Sequence, residues 1–86
     1  MSPGKLMRIK FEFIGGTLEA VLDKLPTARI LEEDEEKVLI EAEVYGNGIT
    51  MWLLSQGSKI RVISPGSLVA EMLDEISRMQ ERYMSI

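Results

Sequence analysis

Met7-Arg8-Ile9-Lys10-Phe11-Glu12-Phe13 alternates apolar and polar side chains at every step. A period of two is the mark of a β-strand with one buried face. Met7, Ile9, Phe11 and Phe13 are therefore expected to face a core, with Arg8, Lys10 and Glu12 on the opposite side. Working outward, the same alternation recurs from Val38 to Tyr45. There Val38, Ile40, Ala42 and Val44 take one face, and Leu39, Glu41, Glu43 and Tyr45 the other. Residues 27 to 31 are compatible with a further strand, and the acidic run Glu32-Glu33-Asp34-Glu35-Glu36 between the two strands is expected to form a hairpin tip.

The strands are separated by helical patterns. Gly15-Gly16 breaks the first strand, and Thr17 can cap a helix whose Leu18, Val21, Leu22 and Leu25 share a face. Pro26 stops it. Asn47-Gly48 opens a short helix from Ile49 to Gln56, and Gly57 offers the left-handed position that ends a helix. Lys59 to Ile63 reads as the last strand. Ser64 as cap and Pro65 at the first helical position then launch a helix to about Tyr83, roughly 28 Å long at 1.5 Å per residue.

The order β-α-β-β-α-β-α has few solutions. Right-handed strand-helix-strand crossovers, joined by a short central hairpin, interleave so that each unit fills the gap of the other. The expected fold is α+β: a ferredoxin-like βαββαβ sandwich with an antiparallel sheet of order 4-1-3-2, plus a C-terminal helix. Residues 7–84 make a single domain, and residues 1–6 read as a flexible N-terminus or an expression remnant.

Composition limits the chemistry. A chain of 86 residues has room for one domain with a thin core. It contains no cysteine and no histidine, which removes disulfides, thiolate and imidazole metal sites, and the commonest general base. No catalytic residue, metal site or cofactor is expected. The longest apolar run, Met51-Trp52-Leu53-Leu54 with Ile49 just before it, falls far short of the ~20 residues of a membrane span. No signal-peptide pattern is present either, so the reading is a cytoplasmic chain with no membrane partner. The formal net charge is −4, but five of the 14 acids sit in the 32–36 run, leaving nine against ten bases elsewhere. A local basic patch is compatible with that balance.

Three features can carry function. On the open sheet face, strand order sets Arg8, Lys10, Lys59 and Arg61 side by side as a basic half-sheet. Tyr45 is the one aromatic there, although single-strand-binding sheets stack bases on two or three. A solvated face of cross-strand ion pairs, such as Lys10 with Glu41 or Glu43, is the competing interpretation. Gly15-Gly16-Thr17 before a helix suits a turn and cap better than a phosphate cradle, lacking the spacing of a nucleotide fingerprint. An acylphosphatase-like enzyme would need an arginine in that loop, and none is there. Finally, the last helix sets Val69, Met72, Ile76, Met79 and Tyr83 at spacings of three and four, widened by Leu68 and Leu73. Its end is longer than the sheet it covers, so Met79, Tyr83 and Met84 are expected to project as a homodimer contact, while packing within the domain explains its first half.

From residue 51 the chain reads Met51-Trp52-Leu53-Leu54-Ser55-Gln56-Gly57, then Lys59-Ile60-Arg61-Val62-Ile63-Ser64-Pro65, then Leu68 and a helix reaching Tyr83. This resembles the C-terminal end of bacterial WYL-domain transcriptional regulators, the segment called the WCX domain (WYL C-terminal extension). The resemblance runs over residues 7–83 in element order and over 51–83 in motif. It implies a non-catalytic regulatory and dimerisation module whose parent carries a helix-turn-helix domain and a WYL domain, and which relays effector binding, the effector being nucleic acid in some members. Weak contact with single-stranded nucleic acid would then use Arg8, Lys10, Tyr45, Lys59 and Arg61. The Trp-Tyr-Leu motif itself is absent. Trp52 reads as a large core anchor. The runner-up function is a small-molecule effector-binding regulatory domain of the same topology.

Overall fold

A computed structural model describes residues 6–15, 17–46 and 48–85. The elements run β1 (Leu6–Ile14), α1 (Leu18–Lys24), β2 (Arg29–Glu33), β3 (Lys37–Tyr45), α2 (Ile49–Ser55), a short 3-10 helix (Gly57–Lys59), β4 (Ile60–Ser64) and α3 (Gly66–Met84). The four strands form one antiparallel sheet in the order β2-β3-β1-β4. This is the expected 4-1-3-2 sheet read from its other edge, with the expected C-terminal helix.

The alternation in β1 and β3 works as its chemistry requires. Ile9, Phe11 and Phe13 from β1, and Ile40, Ala42 and Val44 from β3, are buried. Against them pack Val21 of α1 and Leu25 just after it, Ile49 and Leu53 of α2, Ile60 of β4, and Leu68 and Met72 of α3. A single-sided core of this kind needs little else, since each strand buries alternate residues and each helix one stripe. Two side-chain links tie the layers together. Thr27 Oγ1 donates to the Glu43 carbonyl at 2.6 Å and accepts from the Glu43 N–H at 3.0 Å, clamping the loop after α1 to β3. Thr50 Oγ1 donates to Glu71 Oε2 at 2.8 Å, joining α2 to α3.

Several boundaries differ from expectation. β2 spans Arg29–Glu33 instead of residues 27–31, so Glu32 and Glu33 belong to a strand and the hairpin tip is only Asp34-Glu35-Glu36. A bulge between Ile30 and Glu32 leaves Leu31 outside the ladder, and Glu32, not Leu31, pairs with Leu39. A second irregularity in the β1–β4 pairing skips Ile63, so Ser64 faces Lys10. Such an extra residue is unpaired and turns the strand locally. Ser64 ends β4 and Pro65 is itself the cap residue of α3; the first helical residue is Gly66, not Pro65. α2 ends at Ser55, one residue early, and Gly57 takes the left-handed conformation at φ 65° as its position demands. Leu6 already belongs to β1. The expectations for residues 1–5, and the Gly16 and Asn47 parts of the Gly15-Gly16 and Asn47-Gly48 turns, lie outside the described residues.

Candidate functional site

The open sheet face is set by register. Arg8 lies opposite Glu43, Lys10 opposite Glu41 and Glu12 opposite Leu39 across the β1–β3 pair. On the other flank Glu12 faces Arg61 and Lys10 faces Ser64. The cations therefore alternate with acids instead of forming an unbroken basic strip. Glu12 is the hub, its side chain only 16% exposed and within 3.4 Å of both Lys37 Nζ and Arg61 Nη1. Arg29 Nη2 donates to Glu41 Oε1 at 2.6 Å. These cross-strand pairs are the solvated arrangement that such a face adopts when nothing covers it.

Lys59 leaves this face. It closes the 3-10 helix, its backbone N–H donating to the Gln56 carbonyl at 3.3 Å, and so precedes the β4 ladder. Gly57 stops α2, and the tight turn that follows consumes the residue that a strand beginning at 59 would have needed. Arg8, Lys10 and Arg61 remain on the face. Tyr45 stands at the end of β3 opposite Leu6, 61% exposed. Glu12 and Lys37, which tie the face together, were not singled out from sequence as a pair. Their closeness depends on the hairpin register, for which the matching alternations of residues 7–13 and 38–45 were the available signal.

The Glu41 carboxyl is held below its ordinary value of 4.5, chiefly by the hydrogen bond from Arg29. The charges of Arg29, Arg8 and Lys10 add to this, and desolvation opposes it. A depressed folded-state value means that the pair's contribution is complete above the unfolded value and is lost as pH falls through the folded one. Thermal melts of wild type and Glu41→Gln should therefore differ at pH 7 and converge as pH drops below about 4, the unfolded carboxylate range. A gap undiminished at pH 3 would show that the Glu41 charge contributes nothing.

A second region gathers at the other end of β3. A cavity of about 600 Å³ opens between the end of α1, the end of β3 and the start of α2, lined by Leu6, Lys24, Leu25, Pro26, Tyr45 and Trp52 among others. Trp52 packs against the core but is only partly buried. The fully enclosed side chain of α2 is Leu53, which is 0% exposed. A Trp is too large for a two-turn helix to cover on all sides. Gly48, at φ 86°, lets the chain turn sharply into α2 beside the cavity.

The third region is α3. Only Leu68 and Met72 of its apolar residues are buried. Met79 is 44%, Tyr83 85% and Met84 73% exposed, and Leu73 and Ile76 are also uncovered. No described helix is long and apolar enough to cross a membrane.

A four-stranded antiparallel sheet with helices on one face and an ion-paired open face defines a ferredoxin-like α+β domain. The WCX domain family model matches residues 2–80, and the chain belongs to the WCX domain family. WCX domains are regulatory domains of WYL-type proteins. No curated protein and no solved structure matches the chain.

Proposed function

We propose that this domain is a non-catalytic, cytoplasmic regulatory and dimerisation module from the C-terminus of a WYL-type transcriptional regulator, where it relays effector binding. The observation that carries this reading is the family match over residues 2–80, nearly the whole chain. Its partners in the parent are a WYL domain and a helix-turn-helix domain. The self-association surface is the exposed end of α3, with Met79, Tyr83 and Met84. Where the effector is single-stranded nucleic acid, the isolated domain contributes weakly through Arg8, Lys10 and Arg61, with Tyr45 as a single stacking platform. Lys59, off the ladder, adds at most long-range attraction.

A second reading, a small-molecule effector domain, is favoured by one observation: the cavity of about 600 Å³ between Tyr45 and Trp52. Its size and mixed apolar and polar lining suit a small ligand.

Fluorescence anisotropy of a labelled single-stranded oligonucleotide, at low and moderate salt, tests the first reading. Wild type should bind weakly, with a log–log salt slope no steeper than roughly −2 for three phosphate contacts, and Lys10→Glu/Arg61→Glu should abolish binding. Equal binding by the double mutant removes the open face from the function. The chain has one tryptophan, so its emission reports the cavity in the same titrations. A change in that emission with small aromatic ligands, in the absence of oligonucleotide binding, would transfer the effector role to the second reading.

A further inference from the structure

α3 carries far more apolar surface than its own domain covers. At 100° per residue, the arc from Leu68 round to Ala70 spans about 200° without one charged side chain, while all six charged residues of the helix fall on the remaining arc. A core-facing stripe needs only about half that width. Leu68 and Met72 use one edge of the arc. The rest, centred on Val69, Leu73, Ile76 and Tyr83, faces outward, with Leu73 61%, Ile76 47% and Tyr83 85% exposed. Contiguous apolar surface of this extent marks an interaction site.

The shape of that surface names its occupant. Beside the first half of α3, against the outer edge of β4, lies a cavity of about 360 Å³ lined by Arg61, Ile63, Val69, Leu73 and Ile76 among others. At the other end of the same helix stands Tyr83, the most exposed large apolar residue among the described residues. Hollow and protrusion lie on one face and are equidistant from Ile76. Val69 is seven residues before it and Tyr83 seven after, each about 10.5 Å along the axis. A surface with a knob and a socket at equal distances from a midpoint is complementary to itself under two-fold rotation, the condition for an isologous interface.

We propose that two copies of this chain pair through α3, antiparallel about Ile76. Tyr83 of each copy enters the β4–α3 cavity of the other, Leu73 packs on Met79 of the second copy, and Ile76 meets its own equivalent. This rests on the dimerisation reading above and moves the contact from the tip of α3 to its middle. Five apolar side chains from each copy, Ile63, Leu73, Ile76, Met79 and Tyr83, are each at least 40% exposed in the monomer. With β4 alongside, they supply much of the ~800 Å² per partner that a standard interface buries.

Sedimentation velocity from low to high micromolar concentration tests this, with thermal melts confirming that each exposed-site variant folds. Wild type should dimerise, Ile76→Glu and Leu73→Glu should be monomeric, and Tyr83→Ala should raise the dissociation constant at least about 30-fold, as loss of an interface hot spot does. The chain has no cysteine, so Ile76→Cys should be joined to itself by a short bifunctional thiol reagent, and Asp74→Cys, on the charged side of α3, should not. Dimers that persist in Leu73→Glu and Ile76→Glu but dissociate in Met84→Glu would overturn the Ile76-centred pairing and leave a tip contact standing. A wild type that stays monomeric at high micromolar concentration would overturn both.

Discussion

Phe11→Ala is expected to lose about 3–5 kcal/mol, the range for truncating a core aromatic. Typical domains have only ~5–15 kcal/mol in total, and small ones sit toward the low end, so most of the population should be unfolded at moderate temperature. The position explains the size of the effect. β1 is an inner strand, and Phe11 lies opposite Ile40 of β3 on one side and Val62 of β4 on the other. It is 0% exposed and the largest of the fully buried side chains. Its removal leaves a hole at the junction of three strands, where hydrogen-bonded backbones on both sides limit collapse. Urea unfolding followed by far-ultraviolet circular dichroism gives the measurement. A loss under about 1 kcal/mol, well below the core range, would show that β1 is not the centre of the sheet.

That centre was legible from the first alternation because β1 and β3 each have one wet and one dry face, and a period of two has only one structural meaning over seven or eight residues. The edge strands were harder. β2 and β4 are five residues each, too short for periodicity to fix their ends, and each contains a residue the ladder skips, Leu31 and Ile63. Nothing in the type of either residue marks it as a bulge. Ile63, which the ladder skips, is among the residues lining the cavity beside α3. Lys59 was misplaced for a related reason: Gly57 announces the end of a helix but not the length of the turn that follows.

The candidate sites divide along the same line. Which side chains share the open face follows from alternation, so Arg8, Lys10 and Arg61 were found together. How far their charges are compensated depends on register, because Glu12 must stand opposite Arg61 and Arg29 opposite Glu41. On α3 the apolar stripe was visible in the sequence, but how much of it the sheet covers is a property of where β4 ends and how the helix leaves it. Packing within the domain is the sequence expectation for the first half of α3, yet Leu73 in that half is 61% exposed and Ile76 just beyond it 47%.

Leu53→Ala should be more destabilising than Trp52→Ala, although the deleted side chain is smaller. Leu53 is 0% exposed and follows Ile49, itself 6% exposed, at the i, i+4 spacing that defines the buried stripe of α2. Its truncation should cost about 2–5 kcal/mol. Trp52 is adjacent in sequence and so about 100° round the helix, which turns part of its indole toward the cavity beside Tyr45. Atoms that already meet solvent lose nothing when deleted, and the hole left behind is open to water instead of sealed. Its loss should therefore fall below the ~3–5 kcal/mol of a fully buried aromatic. Size makes Trp52 the conspicuous residue of the motif, whereas spacing identifies Leu53, and on a two-turn helix spacing decides which side chain the core encloses. Denaturant unfolding of the two variants by circular dichroism, a readout that does not need the lost indole, gives the order directly. If Trp52→Ala proved the more costly, the indole would be the anchor of α2 after all, and the cavity beside it would be closed in solution.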